Sequence, residues 1–93
     1  IAQGFNIPCT MHDCTGPLTV FAGVHVNASV AGCCFQETVR AHIHTFYKDL
    51  IDEFLPIADG HIALPTRPGL GVKLNPDLFT DRFDYRKTEL PRA

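Results

Sequence analysis

The sequence predicts an α/β fold, a strand–helix–strand stretch of the kind that builds barrel-like sheets, on three observations. A short apolar run ends in His12 and Asp13 and passes at once into a Thr15-Gly16 turn with Pro17 behind it. A second apolar run, Cys33-Cys34-Phe35-Gln36, ends at Glu37. Segments with helical spacing of apolar residues follow each run. Titratable side chains at strand C-termini, each strand leading into a helix, are the way α/β barrels present catalytic groups. A closed barrel needs ~250 residues, whereas this chain has 93. It is therefore expected to be one part of a longer polypeptide.

Each element has a local reason. The first residues resemble the tail of a helix running into the strand that ends at His12. Pro17 suits a first helical position, where its missing N–H would have had no partner. Leu18, Phe21, His25 and Ala28, with Val20 and Val24 beside them, give the helix that follows a packing face, and Ala31-Gly32 ends it. The unbroken apolar run from Cys33 to Phe35 reads as a fully buried strand. Residues 39–54 form a second amphipathic segment, with Phe46, Leu50, Ile51 and Phe54 inward and Lys48, Asp49, Asp52 and Glu53 toward water.

Beyond Pro56 the character changes. Residues 57–64 read as a hairpin around Asp59-Gly60, a strong turn signal. The Pro- and Gly-rich stretch 65–71 is a shaped loop. Asn75 caps a short helix that opens at Pro76, and the charged residues 81–93 are expected to be extended.

Composition bounds the function. The chain is 45% apolar with a formal net charge of −2, and it has no apolar run of membrane-spanning length. No basic run points to nucleic acid or to an anionic membrane. The four cysteines follow a C-x₄-C then CC spacing, a poor match to paired zinc knuckles. Cys33 and Cys34 face opposite sides of a strand. Buried, reduced thiols are the expected state, which fits a reducing cytoplasm. A zinc module built from Cys9, His12, Cys14 and Cys33 ranks last among the alternatives.

His12 and Glu37 are the acid/base candidates, because an imidazole and a carboxylate at successive strand ends can exchange protons near neutral pH. Asp13 alternates to the opposite face from His12 and is not assigned as its partner. His25 lies on a helix packing face and reads as a core or interface histidine. His42 and His44, ~200° apart on a helix, do not suit joint metal binding, though either could touch a substrate at the strand mouth. Arg40, three residues past Glu37, pairs either with a substrate carboxylate or with a neighbouring acid. Arg67 has no ligand assigned and could support a domain interface.

Four motifs in order carry a resemblance: Ile7-Pro8-Cys9-Thr10-Met11-His12-Asp13 with Gly16-Pro17; Phe35-Gln36-Glu37-Thr38-Val39-Arg40; Asp59-Gly60-His61-Ile62-Ala63-Leu64-Pro65; and Pro68-Gly69-Leu70-Gly71-Val72. The chain resembles the C-terminal portion of the enolase superfamily, in its mandelate racemase/muconate lactonizing enzyme branch. The resemblance implies an α/β segment of a (β/α)₇β barrel, with residues 1–55 supplying its last strands and helices. It implies that residues 56–93 form a hairpin, loop and tail packing toward an α+β capping domain.

It further implies a Mg²⁺-dependent lyase that removes the proton α to a carboxylate, most readily a sugar-acid dehydratase. Racemisation, epimerisation and cycloisomerisation are sister outcomes. His12 would be the general acid/base. Glu37 would hydrogen-bond the substrate carboxylate with its pKa raised by burial, and Arg40 would join it in substrate binding. The Mg²⁺ ligands and second base are expected outside this segment, which alone should be inactive. The implied partners are the small-molecule carboxylate, the rest of the barrel and capping domain, and further copies of the chain. A non-catalytic α/β module that associates through apolar surfaces stays open beside this reading.

Overall fold

The computed structural model describes residues 1–79; the expected tail at 81–93 lies outside the described residues. A single 3₁₀ turn, Ala2–Phe5, closes on Asn6 in the left-handed conformation (φ 53°). The chain then enters β1, Cys9–Met11. Helix α1, Pro17–Ser29, carries it across to β2, Cys33–Gln36, which pairs parallel to β1. Cys9 faces Cys33, Thr10 faces Phe35 and Met11 faces Gln36, so Cys34 is one residue extra in β2. The last pair in this register puts His12 and Glu37 side by side at the same edge.

Helix α1 seats closely on the strand pair because residue 23 is glycine: a Cβ there would collide with Gln36 Oε1. The buried residues of α1 are Pro17, Val20, Phe21, Gly23 and Val24, whereas Leu18 and Ala28 are exposed. The packing face is thus turned from the Leu18–Ala28 line toward Val20 and Val24. Tyr47, Ile51 and Leu55 complete the core, and Phe54 meets the edge of Phe21 with ring centroids 5.9 Å apart. Burying a side chain such as Phe21 contributes ~1.5–3 kcal/mol.

The second helix runs over residues 40–50 and differs from the expected segment. Its α-helical ends, Arg40–His42 and Lys48–Leu50, flank a π-helical stretch, Ile43–Tyr47. The wider π turn puts Tyr47 rather than Phe46 on the inward face, while Ile51 is buried as expected and Leu50 packs partly buried against the core. Phe46 is accordingly 44% exposed and Tyr47 is fully buried. The helix stops at Leu50 rather than Phe54, because Ile51 forms an antiparallel bridge to Leu74. Asp52 therefore leaves the helix and takes a bidentate ion pair from Arg67, at 2.7 and 3.1 Å. Arg67 Nε also donates to Gly71 O, so this arginine organises its own loop.

The hairpin forms as its turn residues require. β3, Ile57–Ala58, and β4, His61–Ile62, pair antiparallel around Asp59 (φ 51°) and Gly60 (φ 75°), both left-handed as in a type I′ turn. Asn75 Oδ1 accepts from Asp77 N at the start of the 3₁₀ helix Pro76–Phe79, the expected cap.

Two expectations of burial fail. β2 is not fully buried: Cys34 is exposed and Phe35 is 71% exposed, because α1 covers only one face of the pair. The cysteines are free, but Cys14 and Cys34 are exposed and Cys9 and Cys33 are only partly covered. None of them sits in a closed core.

Candidate functional site

The parallel register brings the two candidate acid/base residues together. His12 leaves the end of β1 and Glu37 the end of β2, tied by Glu37 N donating to Met11 O at 3.0 Å. His12 Nδ1 lies 2.5 Å from Glu37 Oε2, with the two side chains 70% and 44% exposed. Asp13 N donates to the same Oε2 at 3.0 Å. These donors, the Asp13 amide first and the His12 ring second, hold the Glu37 carboxyl below its ordinary pKa. The expectation of a raised pKa is therefore corrected. Glu37 lies at an open edge, where desolvation is too weak to offset two hydrogen bonds to its charged form.

Asp13 points away from His12, as strand alternation predicts, into a fully buried position. Its Oδ1 accepts from Tyr47 Oη at 2.6 Å and its Oδ2 from Val39 N at 2.7 Å. Burial, then the hydrogen bond to Asp13, raises the Tyr47 pKa well above its usual value. Neither residue was a candidate in the sequence. The available signal was the spacing of four through Ile43, Tyr47, Ile51 and Leu55, since a phenol carried on a core face needs a buried acceptor.

Arg40 and His44 line a cavity of about 420 Å³ floored by Ile43, Phe54, Leu55 and Ile57. Arg40 is exposed and makes no ion pair among the described residues. His42 turns elsewhere, its ring against Phe46 and Tyr47 and its buried Nδ1 without a hydrogen-bond partner among the described residues. His25, half-buried, donates from Nε2 to Leu70 O at 3.1 Å and so ties α1 to the Pro/Gly loop.

Among the described residues no group of three or more His, Cys, Asp or Glu side chains could hold a metal ion. Cys9, His12, Cys14 and Cys33 do not converge, so the zinc alternative finds no site. Glu37 is the one carboxylate of the pair, and two donors already occupy its Oε2. These residues do not fit Mg²⁺, which prefers an octahedral set of oxygens.

The structure is an α/β segment with a His/Glu pair where two parallel strands end together. The family model for enolase C-terminal domain-like proteins matches residues 1–78. The chain belongs to the enolase superfamily and corresponds to the C-terminal portion of its mandelate racemase/muconate lactonizing enzyme branch.

Two curated relatives are similar to it. D-xylonate dehydratase of Haloferax volcanii is 30% identical over 77 residues, covering 83% of this chain and 18% of the relative. Muconate cycloisomerase 1 of Rhodococcus opacus is 35% identical over 80 residues, covering 83% and 21%. Among solved structures, an enolase of the mandelate racemase subgroup from Agrobacterium tumefaciens superposes with TM-score 0.74 at 35% identity, over 83% of this chain and 21% of that one. An enolase protein from Sargasso Sea environmental sequencing gives TM-score 0.72 at 39% identity, over 83% and 20%. The chain thus spans about a fifth of the length of these relatives. No described helix is long and apolar enough to cross a membrane.

Proposed function

We propose that this chain supplies the His/Glu part of a barrel enzyme that removes the proton α to the carboxylate of a sugar acid, with dehydration as the outcome. The observation that carries the reading is the hydrogen bond between His12 Nδ1 and Glu37 Oε2 at the shared end of two parallel strands. The membership of the chain in a superfamily that includes dehydratases and cycloisomerases supports it. The metal dependence of such chemistry is part of the proposal, and its Mg²⁺ ligands belong to residues outside this segment.

The work of these residues follows from their protonation. Glu37, held ionised, accepts a proton-bearing Nδ1 and thereby fixes the tautomer of His12. Nε2 is left with its lone pair facing the open edge. It can take the α-proton as the C–H bond breaks, and the Glu37 carboxylate stabilises the imidazolium that forms. The same Nε2 then returns its proton to the β-hydroxyl as that C–O bond breaks, so one water leaves. Glu37 acts in this scheme as the partner of His12 rather than as a proton donor to the substrate. Arg40, beside an open cavity and without an ion pair among the described residues, is assigned to the substrate carboxylate.

The test uses the full-length polypeptide in D₂O with MgCl₂ and a panel of aldonates and aldarates, followed by NMR. Solvent deuterium should enter at C3 of the 2-keto-3-deoxy acid that accumulates, as the enol left by loss of water ketonises, and at the α-carbon only of substrate that reverts. His12→Asn should lower both rates by a factor on the order of 10²–10⁴. Equal rates in the variant would remove His12 from the mechanism. Exchange without loss of water would redirect the reading to racemisation or epimerisation.

A further inference from the structure

We propose that Tyr47, acting through Asp13, is a positioning residue that sets the His12–Glu37 pair from the buried side of the site. The inference rests on the function proposed above and deepens it.

Asp13 holds the neighbourhood of Glu37 at two points. Its backbone N–H grips the Glu37 carboxylate at 3.0 Å, and its side chain grips the backbone N–H of Val39, two residues further on, at 2.7 Å. The turn between β2 and the second helix is clamped from both sides of Thr38. What holds Asp13 in place is the remaining carboxylate oxygen, which takes the Tyr47 hydroxyl at 2.6 Å. Both residues are fully buried, so neither has room for another rotamer.

The π-helical stretch Ile43–Tyr47 belongs to the same device. Its wider turn is what carries Tyr47, rather than Phe46, to the inward face where Asp13 lies. Such insertions recur at functional sites. The titratable groups around the clasp are His12 and Glu37 at its open end, Cys14 beside it, and His42 against the Tyr47 ring. Tyr47 never reaches the open edge, so it acts only through Asp13.

Tyr47→Phe in the full-length enzyme keeps the ring and deletes one hydroxyl, which lets the protein fold. Turnover should fall about tenfold or more, as for a small misplacement of reacting groups, with KM within about twofold of wild type. The Glu37 carboxyl, followed by its ¹³C resonance, should also titrate at higher pH than in the wild type, because a loosened Asp13 N–H no longer holds it low. Asp13→Asn, which sets an amide N–H against an existing donor, should reproduce both effects.

Unchanged turnover and an unchanged Glu37 titration in folded Tyr47→Phe would overturn the proposal. So would a loss of rate that tracks only the fraction of folded protein, seen by titrating active sites. His12→Asn separates the two layers. If it is inactive while Tyr47→Phe is wild-type, the clasp falls and the function stands. If His12→Asn is itself fully active, the function proposed above falls first.

Discussion

Gly23→Ala tests how closely α1 seats on the strand pair that carries the site. In an ordinary helix interior the change stabilises by about 1 kcal/mol. Here the added Cβ would collide with Gln36 Oε1 and lie 3.1 Å from Met11 Cβ. Gln36 is not free to swing away, since Oε1 accepts from Asn27 Nδ2 at 3.0 Å and Nε2 donates to Glu37 O at 2.9 Å. Moving it aside loses two neutral hydrogen bonds, about 1 kcal/mol each. Met11 Cβ is fixed to the strand and adds overpacking strain of about 1 kcal/mol. Against the propensity gain, the net loss is about 2 kcal/mol. Urea unfolding of the full-length polypeptide, followed by circular dichroism, measures it as a lower midpoint at unchanged slope. In a Gln36→Ala background, where the colliding oxygen and both hydrogen bonds are already gone, Gly23→Ala should cost close to nothing, since only the Met11 strain remains against the propensity gain. A midpoint that rises with Gly23→Ala alone would refute the close seating.

Two further outcomes follow from the charged groups. Glu37→Gln should slow turnover by about 10² while changing KM little. Unchanged turnover would exclude the carboxylate from the pair's chemistry. In the wild type the Glu37 carboxyl lies below its ordinary value, so ¹³C NMR of that carboxyl should find it still ionised where a free carboxylate is half protonated, and a titration at or above the ordinary value would refute its two hydrogen bonds. Arg67 and then the Lys73 backbone N–H hold Asp52 well below the usual carboxylate range. Its contribution to stability is therefore fully present above that range and is lost as pH falls below it. Arg67→Met should move acid unfolding to higher pH, and an unmoved acid midpoint would show that the pair contributes nothing measurable.

Much of the site was legible in residues 6–17 and 33–40, because local chemistry fixes strand ends. An apolar run that stops at a charged or titratable residue, with Gly-Pro behind it, leaves the chain few alternatives. The hairpin was equally plain, since Asp59-Gly60 admits the two left-handed conformations of its turn. The second helix was not. Phe46 and Leu50 satisfy helical spacing as well as Tyr47 and Ile51 do, and a single π insertion chooses between the two faces. That insertion is selected by the partners the inward face meets, above all the buried Asp13.

The sign of the Glu37 shift also lay beyond the sequence. An apolar lead-in argued for burial and a raised pKa, yet parallel pairing left the carboxylate at an open edge between two donors. The sequence by itself determined which residues stand at the strand ends, the order of strand and helix, and the family. Only the tertiary structure decided that His12 and Glu37 touch, that the face Asp13 occupies is the buried one, and that Tyr47 meets it there. The reason is physical: spacing along a chain sets which face a side chain occupies, while the register between strands and the packing of a helix set what it faces.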